Sequence, residues 1–375
     1  MTAVPVGPEK GLEHVVMGDS AITLVAGETG GLVYRGFDIA ELVGRASYES
    51  VLYLLLRGDP PGPDQLEELQ RALAERRALG PALAKTVDAI APDVPPMDAL
   101  RTALSAFGDG SIGYPPTERQ SYDLVAKAPT ILARFVRRTR GLAPVDPDPR
   151  IGHVANYLYM LRGEPPTPAK VRALESYFVM LADHGMNAST FALRVVLSTQ
   201  SDLASGAIAA LAALKGPLHG GAPSRVGDML DAVGNPDRAA GWIADALARK
   251  ERLMGFGHRA YKTEDPRAVL LSRVAAEVAD PARLRLAGSV EQAALEALRR
   301  AKPGQRLFTN VEFYGAVVLE AAGLPRELFT PTFALARTAG WSAHALEQAA
   351  DNRLIRPEVR YTGPAAGRRW PAETR

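Results

Sequence analysis

The chain has 375 residues, 47% of them hydrophobic and 23% charged, with 44 basic against 42 acidic side chains for a net charge of +2. That length allows one large or two ordinary domains with real cores, and so even a charge balance gives no reason to expect nucleic acid or an anionic membrane as partner. The absence of cysteine excludes disulfides, thiolate nucleophiles, zinc ribbons and iron–sulfur clusters.

The N-terminus, MTAVPVGPEK, lacks the basic-then-apolar layout of a signal peptide. The longest apolar runs, such as Ala204–Leu214, fall well short of the ~20 residues a bilayer span needs. A cytoplasmic protein is expected. The basic side chains comprise eight lysines and thirty-six arginines. A GC-rich genome or a heat-adapted host accounts for most of that excess. It still leaves many rigid forks for carboxylates and phosphates.

In chain order, Ala21–Val25, the turn residues Gly27–Gly31 and Leu32–Arg35 predict a small hairpin. A helix is expected to start at Phe37. From there apolar residues recur three and four apart, as in Leu66, Leu69 and Leu73, and the pattern is helical almost throughout. Gly and Pro mark the stops at 58–62, 92–96, 144–149, 163–166 and 234–236. No strand–helix alternation points to a parallel sheet. Leu203–Leu214 is nearly all Ala, Leu, Ile and Gly, which predicts a helix buried on all sides. It delivers the chain to Lys215-Gly-Pro-Leu-His219.

Three of the six histidines sit in loops rich in Gly, Asn or Pro. His184 lies in ADHGMNAST, where Asn187 or Ser189 can cap the next helix; alone it reads as a structural loop histidine. His219 lies in GPLHGGAPS, whose paired glycines allow close backbone approach, and a helix starting near Ser224 could offer free N–H groups to an anion. A tight structural turn is an equal reading. His258 lies in MGFGHRAYKTEDPR with Lys262 and Arg267, which suits a carboxylate or phosphate, although a solvated basic loop is the commoner fate of such a short charge cluster. No Walker loop, dinucleotide fingerprint, H-E-x-x-H or G-x-S-x-G pattern occurs. Further on, Glu312 stands between apolar neighbours that can desolvate it and raise its pKa. Arg337 sits in an apolar helical stretch where, if buried, it needs a partner or ligand.

Taken together, GPLHGGA, GFGHR-x-YK-x-x-DPR, TNVEFY, FALARTAGW and RPEVRYTG stand in the order found in citrate synthases, and ADHGMNAST and GLVYRGFDIAEL are similar to that family too. The resemblance runs from about Ala21 to Gly363 and is closest to the shorter bacterial and archaeal form. It implies a mainly α, two-domain helical fold with a small N-terminal β-hairpin. The large domain would span 1–221 and 324–375, the latter part reaching a partner subunit, and the small domain 222–323. It implies an acyltransferase that condenses acetyl-CoA with oxaloacetate and water to citrate and CoA, with acetyl-CoA as co-substrate and no permanently bound cofactor or metal.

By that resemblance Glu312 removes the methyl proton, His219 stabilises the enol, and His258 polarises the ketone. His184, Arg267, Arg337 and Arg356 bind oxaloacetate, and Arg356 comes from the neighbouring subunit of a homodimer. Lys262 matches a basic position near the CoA phosphates. Two departures stand out: Glu312 replaces the family's usual aspartate, and Ala260 stands where Val or Ile is preferred. A 2-methylcitrate synthase using propionyl-CoA and a non-catalytic oxaloacetate or CoA sensor are the alternatives.

Overall fold

The computed structural model describes residues 10–12, 15–107, 113–220, 222–258 and 260–366. Three short strands come first: β1 (Thr23–Ala26), β2 (Gly31–Tyr34) and β3 (Phe37–Asp38). They form one antiparallel sheet in chain order, with Thr23 opposite Tyr34 and Ala26 opposite Gly31. The β2–β3 connection is a two-residue turn with Arg35 and Gly36 both at positive φ, which matches the twist of the strands. Phe37 therefore pairs with Tyr34 rather than opening a helix, correcting the expected start. Asp38, whose carboxylate accepts the Ala40 N–H, is the cap that starts the helix.

Sixteen helices follow among the described residues: α1 (Ile39–Leu42), α2 (Tyr48–Arg57), α3 (Pro63–Ala74), α4 (Pro81–Ala89), α5 (Pro96–Ser105), α6 (Glu118–Thr139), α7 (His153–Arg162) and α8 (Pro168–Leu181). The second half holds α9 (Ala188–Ser198), α10 (Leu203–Leu214), α11 (Ala222–Val233), α12 (Ala239–Ala248), α13 (Pro266–Val278), α14 (Pro281–Ala301), α15 (Val311–Ala321) and α16 (Phe329–Ala350). Proline occupies the first helical position of α3, α4, α5, α8, α13 and α14, where no N–H is needed. Side chains of Ser47, Thr117, Asn187, Asp202 and Asn310 accept the orphan amides at other starts, and Thr167, Asp265 and Asp280 do so ahead of the prolines of α8, α13 and α14. The Gly/Pro stops of the sequence fall between α-helices, except that Pro96 is itself the first residue of α5, and Pro236 opens a short 3-10 turn.

α16 runs through the core and packs on α2, α6, α8, α9 and α10. It is buried almost continuously from Phe329 to Ala345, so its polar residues Arg337 and His344 are held inside. α11 and α13 pack on α15, and α12 on α14. The all-round burial expected of α10 does not hold within one chain. Ser205, Ile208 and Ala209 are only half-buried and Ala212 is exposed, a face repeating at helical spacing. Among the described residues no helix is long and apolar enough to cross a membrane.

Candidate active site

Four breaks between helices, and one position inside α16, deliver a cluster of polar groups that interact through His184, Arg267 and Arg337. The first break follows α8. Here Asn187 caps α9, accepting the Ser189 and Thr190 amides at 3.1 and 3.2 Å, so the capping role falls to Asn187. Ser189 instead faces His219. Its N–H lies 3.3 Å and its hydroxyl 2.9 Å from His219 Nε2, and Trp341 Nε1 donates to the same hydroxyl at 3.3 Å. A backbone N–H can only donate, so Nε2 accepts and the His219 proton sits on Nδ1. Burial, helped by the Arg337 charge, lowers the His219 pKa to about 4.

His258 is held in the opposite tautomer. Its Nδ1 accepts the Ala260 N–H at 3.0 Å and the Tyr261 N–H at 3.2 Å, which leaves the proton on Nε2. Arg267 Nη2 lies 3.3 Å from that Nε2. Both groups are donors, so they converge on a space suited to an anionic or carbonyl oxygen. Burial, then the Arg267 charge, brings His258 down to about 4. His184 completes the group: its ring is 5.3 Å from that of His258, and its Nε2 is 3.2 Å from the Tyr261 hydroxyl. Burial and the Arg267 charge push His184 well below the usual histidine value, with His258, Arg337 and His219 adding to the effect. All three imidazoles are thus neutral at neutral pH.

Arg267 is almost fully buried and forms a two-pronged pair with Asp265, at 3.0 and 2.9 Å. Burial disfavours that charge, but Asp265 more than offsets it, so the guanidinium stays charged. Asp265 also caps α13 and accepts the Val311 N–H at 3.1 Å, joining the starts of α13 and α15. Arg337 is 1% exposed. Its Nε donates to the Leu181 carbonyl at 2.7 Å, its guanidinium lies 4.8 Å from the Phe333 ring centroid, and its Nη1 has no protein partner. A buried cation with an unused donor is built to meet an anion.

Glu312 stands in the first turn of α15. The segment before it is stitched to the His258 loop: Gly257 N donates to Phe308 O at 2.7 Å, Asn310 N to Gly255 O at 2.9 Å, and Asn310 Nδ2 to Gly257 O at 2.8 Å. Burial raises the Glu312 pKa to about 8; the charges of Arg267 and Arg337 oppose the rise and that of Asp265 adds to it. The desolvation expected from its apolar neighbours is therefore present. Arg356 is exposed, in the segment beyond α16. Lys262 is exposed, with its N–H on the Gly27 carbonyl at 2.9 Å. The helix expected near Ser224 begins at Ala222, and the Ser224 hydroxyl bonds the Arg326 carbonyl at 3.1 Å.

Sequence reading missed Asp265, Ser189 and Tyr261. Asp-Pro-Arg at 265–267 carries a helix-start signature, Asp before Pro, that would have flagged Asp265. Nothing local marks the other two. Among the described residues no group of three His, Asp or Glu side chains is placed to hold a metal.

A cluster of three neutral imidazoles, two buried guanidiniums and a proton-retaining carboxyl suits enolisation beside an anionic acceptor. Known proteins agree. Residues 11–358 match the family profile described as citrate synthase, C-terminal domain. The chain is 40% identical to a citrate synthase of Haloferax volcanii over 95% of this chain and 96% of that one. It is 37% identical to 2-methylcitrate synthase 2 of Corynebacterium glutamicum over 98% and 97%. The solved citrate synthase of Thermoplasma acidophilum, a ternary complex with carboxymethyl coenzyme A and oxaloacetate, superposes with a TM-score of 0.89 at 28% identity, covering 96% of this chain and 98% of that one. The match spans nearly the whole chain and every segment that supplies this cluster, and the chain belongs to the citrate synthase family.

Proposed function

We propose that the protein condenses acetyl-CoA with oxaloacetate and water to citrate and CoA, with Glu312, His219 and His258 as the catalytic groups. The observation that carries this is the pair of opposite tautomers: His219 offers Nδ1–H and His258 offers Nε2–H, each fixed by backbone amides. Glu312, once ionised, takes a proton from the thioester methyl. His219 donates to the thioester oxygen as negative charge develops there. A neutral imidazole is a fitting donor, because an enol that keeps its proton partly on His219 avoids a free enolate. The enol carbon then bonds the ketone carbon, and the ketone oxygen takes a proton from the His258 side. Water cleaves the resulting thioester and releases CoA.

A carboxyl of pKa about 8 is matched in basicity to work near neutral pH. His184, Arg267 and Arg337 form the seat for the two carboxylates of oxaloacetate, and Arg356 supplies a further guanidinium from the partner of a homodimer. The half-open apolar face of α10 and the exposed Leu354, Val359 and Tyr361 of the tail support that pairing. Lys262, exposed beside the cluster, is the candidate for the CoA phosphates. Residues 222–323 form the small domain, which closes on the rest once oxaloacetate neutralises the arginines. Closure excludes water from the intermediate.

Steady-state release of CoA thiol with acetyl-CoA and propionyl-CoA tests the reading. A higher kcat/KM for acetyl-CoA is expected; preference for propionyl-CoA would make the enzyme a 2-methylcitrate synthase. Thiol release no faster than in buffer with either would make it a sensor. Initial-rate patterns should show oxaloacetate binding first.

A further inference from the structure

The hairpin at the start of the chain touches both substrate-binding loops, one through its turn backbone and the other mainly through side chains of its strands. The Gly27 carbonyl accepts the Lys262 N–H at 2.9 Å. A Cβ at Gly27 would fall 2.2 Å from the Ala260 carbonyl oxygen, and one at Gly30 would fall 2.7 Å from Thr263 Oγ1 and 3.1 Å from the Glu264 carbonyl oxygen. The turn therefore lies against 260–264 with no room for a side chain. The strands meet the other loop. The Tyr34 hydroxyl accepts the Asp183 N–H at 3.2 Å and lies 2.9 Å from the Asp183 carbonyl oxygen and 3.1 Å from that of Met180. Val25 and the Thr23 carbonyl stand 3.4 and 3.7 Å from the position a Gly185 Cβ would take.

One peptide makes this contact matter. The Ala260 carbonyl that Gly27 abuts and the Tyr261 N–H that binds His258 Nδ1 belong to the same planar unit, so one cannot turn without the other. Pushing the carbonyl away rotates the N–H off His258. The Tyr261 hydroxyl also faces His184.

We propose that this hairpin is a positioning element for the oxaloacetate half of the site: its turn fixes the tautomer and direction of His258, and its strands fix the loop that carries His184. The proposal rests on the reading of His258 and His184 as oxaloacetate ligands.

Gly27→Ala is the test, beside Gly18→Ala, where a Cβ meets nothing within 4 Å. Gly27→Ala should raise the KM for oxaloacetate about tenfold or more, since a displacement near 1 Å is costly to an aligned site. The KM for acyl-CoA should change less than twofold, and Gly18→Ala should match wild type. With its Nδ1 donors loosened, His258 should titrate higher, so the acid limb of kcat/KM for oxaloacetate should move up toward the ordinary histidine range. A folded Gly27→Ala enzyme with the wild-type oxaloacetate KM and acid limb would overturn the proposal. If Gly27→Ala does not fold, Gly30→Ala and Tyr34→Phe decide on the same readouts, and wild-type values in both overturn it. His258→Gln separates the two ideas: unchanged oxaloacetate KM and turnover there would remove the underlying reading, whatever Gly27→Ala does.

Discussion

His344 Nε2 donates to Asp183 Oδ2 at 3.3 Å across 161 residues of sequence, wholly inside the protein. The tautomer is set from the far side, where Arg194 Nε and Nη2 donate to His344 Nδ1 at 3.1 and 2.7 Å. Burial works to raise the Asp183 pKa, but the His344 contact and the Arg337 charge bring it down to about 2. Asp183 also accepts the Gly185 N–H at 2.8 Å, so its carboxylate braces the loop that carries His184. His344→Leu removes a donor from Asp183 and an acceptor from Arg194. It should destabilise the protein by about 3 kcal/mol, as losing one member of a buried charged network does, and raise the oxaloacetate KM. Denaturant unfolding and initial rates measure both; a stability within half of that loss would contradict the bracing role.

Replacing Glu312 probes the base. Glu312→Gln keeps the shape and cannot take a proton, so kcat should fall by about 100-fold to 10,000-fold, the span of general base catalysis. Glu312→Asp keeps the acid on a stem one methylene shorter and should stay at least partly active. Unchanged turnover in the amide variant would remove Glu312 from the mechanism.

The same substitution should alter how stability depends on pH. The folded pKa of about 8 lies above the ordinary 4.5. Between those values the unfolded chain has released the proton while the folded chain keeps it, so stability from this group is full below pH 4.5 and falls as pH rises to about 8. Gln carries no such proton. The melting temperature of Glu312→Gln minus that of wild type should therefore grow from pH 5 to pH 8 and then level off. The Glu175 carboxyl, raised to about 7 by burial and by Glu49, is present in both proteins and cancels in the difference. A difference flat with pH would contradict the burial of Glu312.

Arg356 gives a test of shared sites. Arg356→Met and Glu312→Gln should each be nearly inactive alone. If the arginine acts across a two-fold interface, refolding the two together in equal amounts restores one complete site in each mixed dimer, about a quarter of wild-type activity. No recovery would place Arg356 in its own subunit's site or outside any site.

Much of this was legible before folding. Leu32–Arg35 after a glycine turn announced the hairpin, and the Gly/Pro stops marked the boundaries between α-helices. Glu312 was readable because its neighbours Val311 and Phe313 are apolar. Phe37 misled because it is apolar and adjoins a helix, whereas Asp38 is the residue that can cap one. The open face of α10 was invisible, since Ile208 looks the same whether its own chain covers it or leaves it bare. The parts played by Ser189 and Tyr261 depend on hydrogen bonds between loops far apart in sequence, which no local pattern encodes.

A single carboxylate, that of Asp265, grips the Arg267 fork and the amide that opens the helix bearing Glu312. The cation proposed for one reactant and the base proposed for the other are thus bolted to a common post. Were this part of the molecule to swing during turnover, it would carry both together, and on the proposed roles the spacing between the two reaction partners would survive the motion.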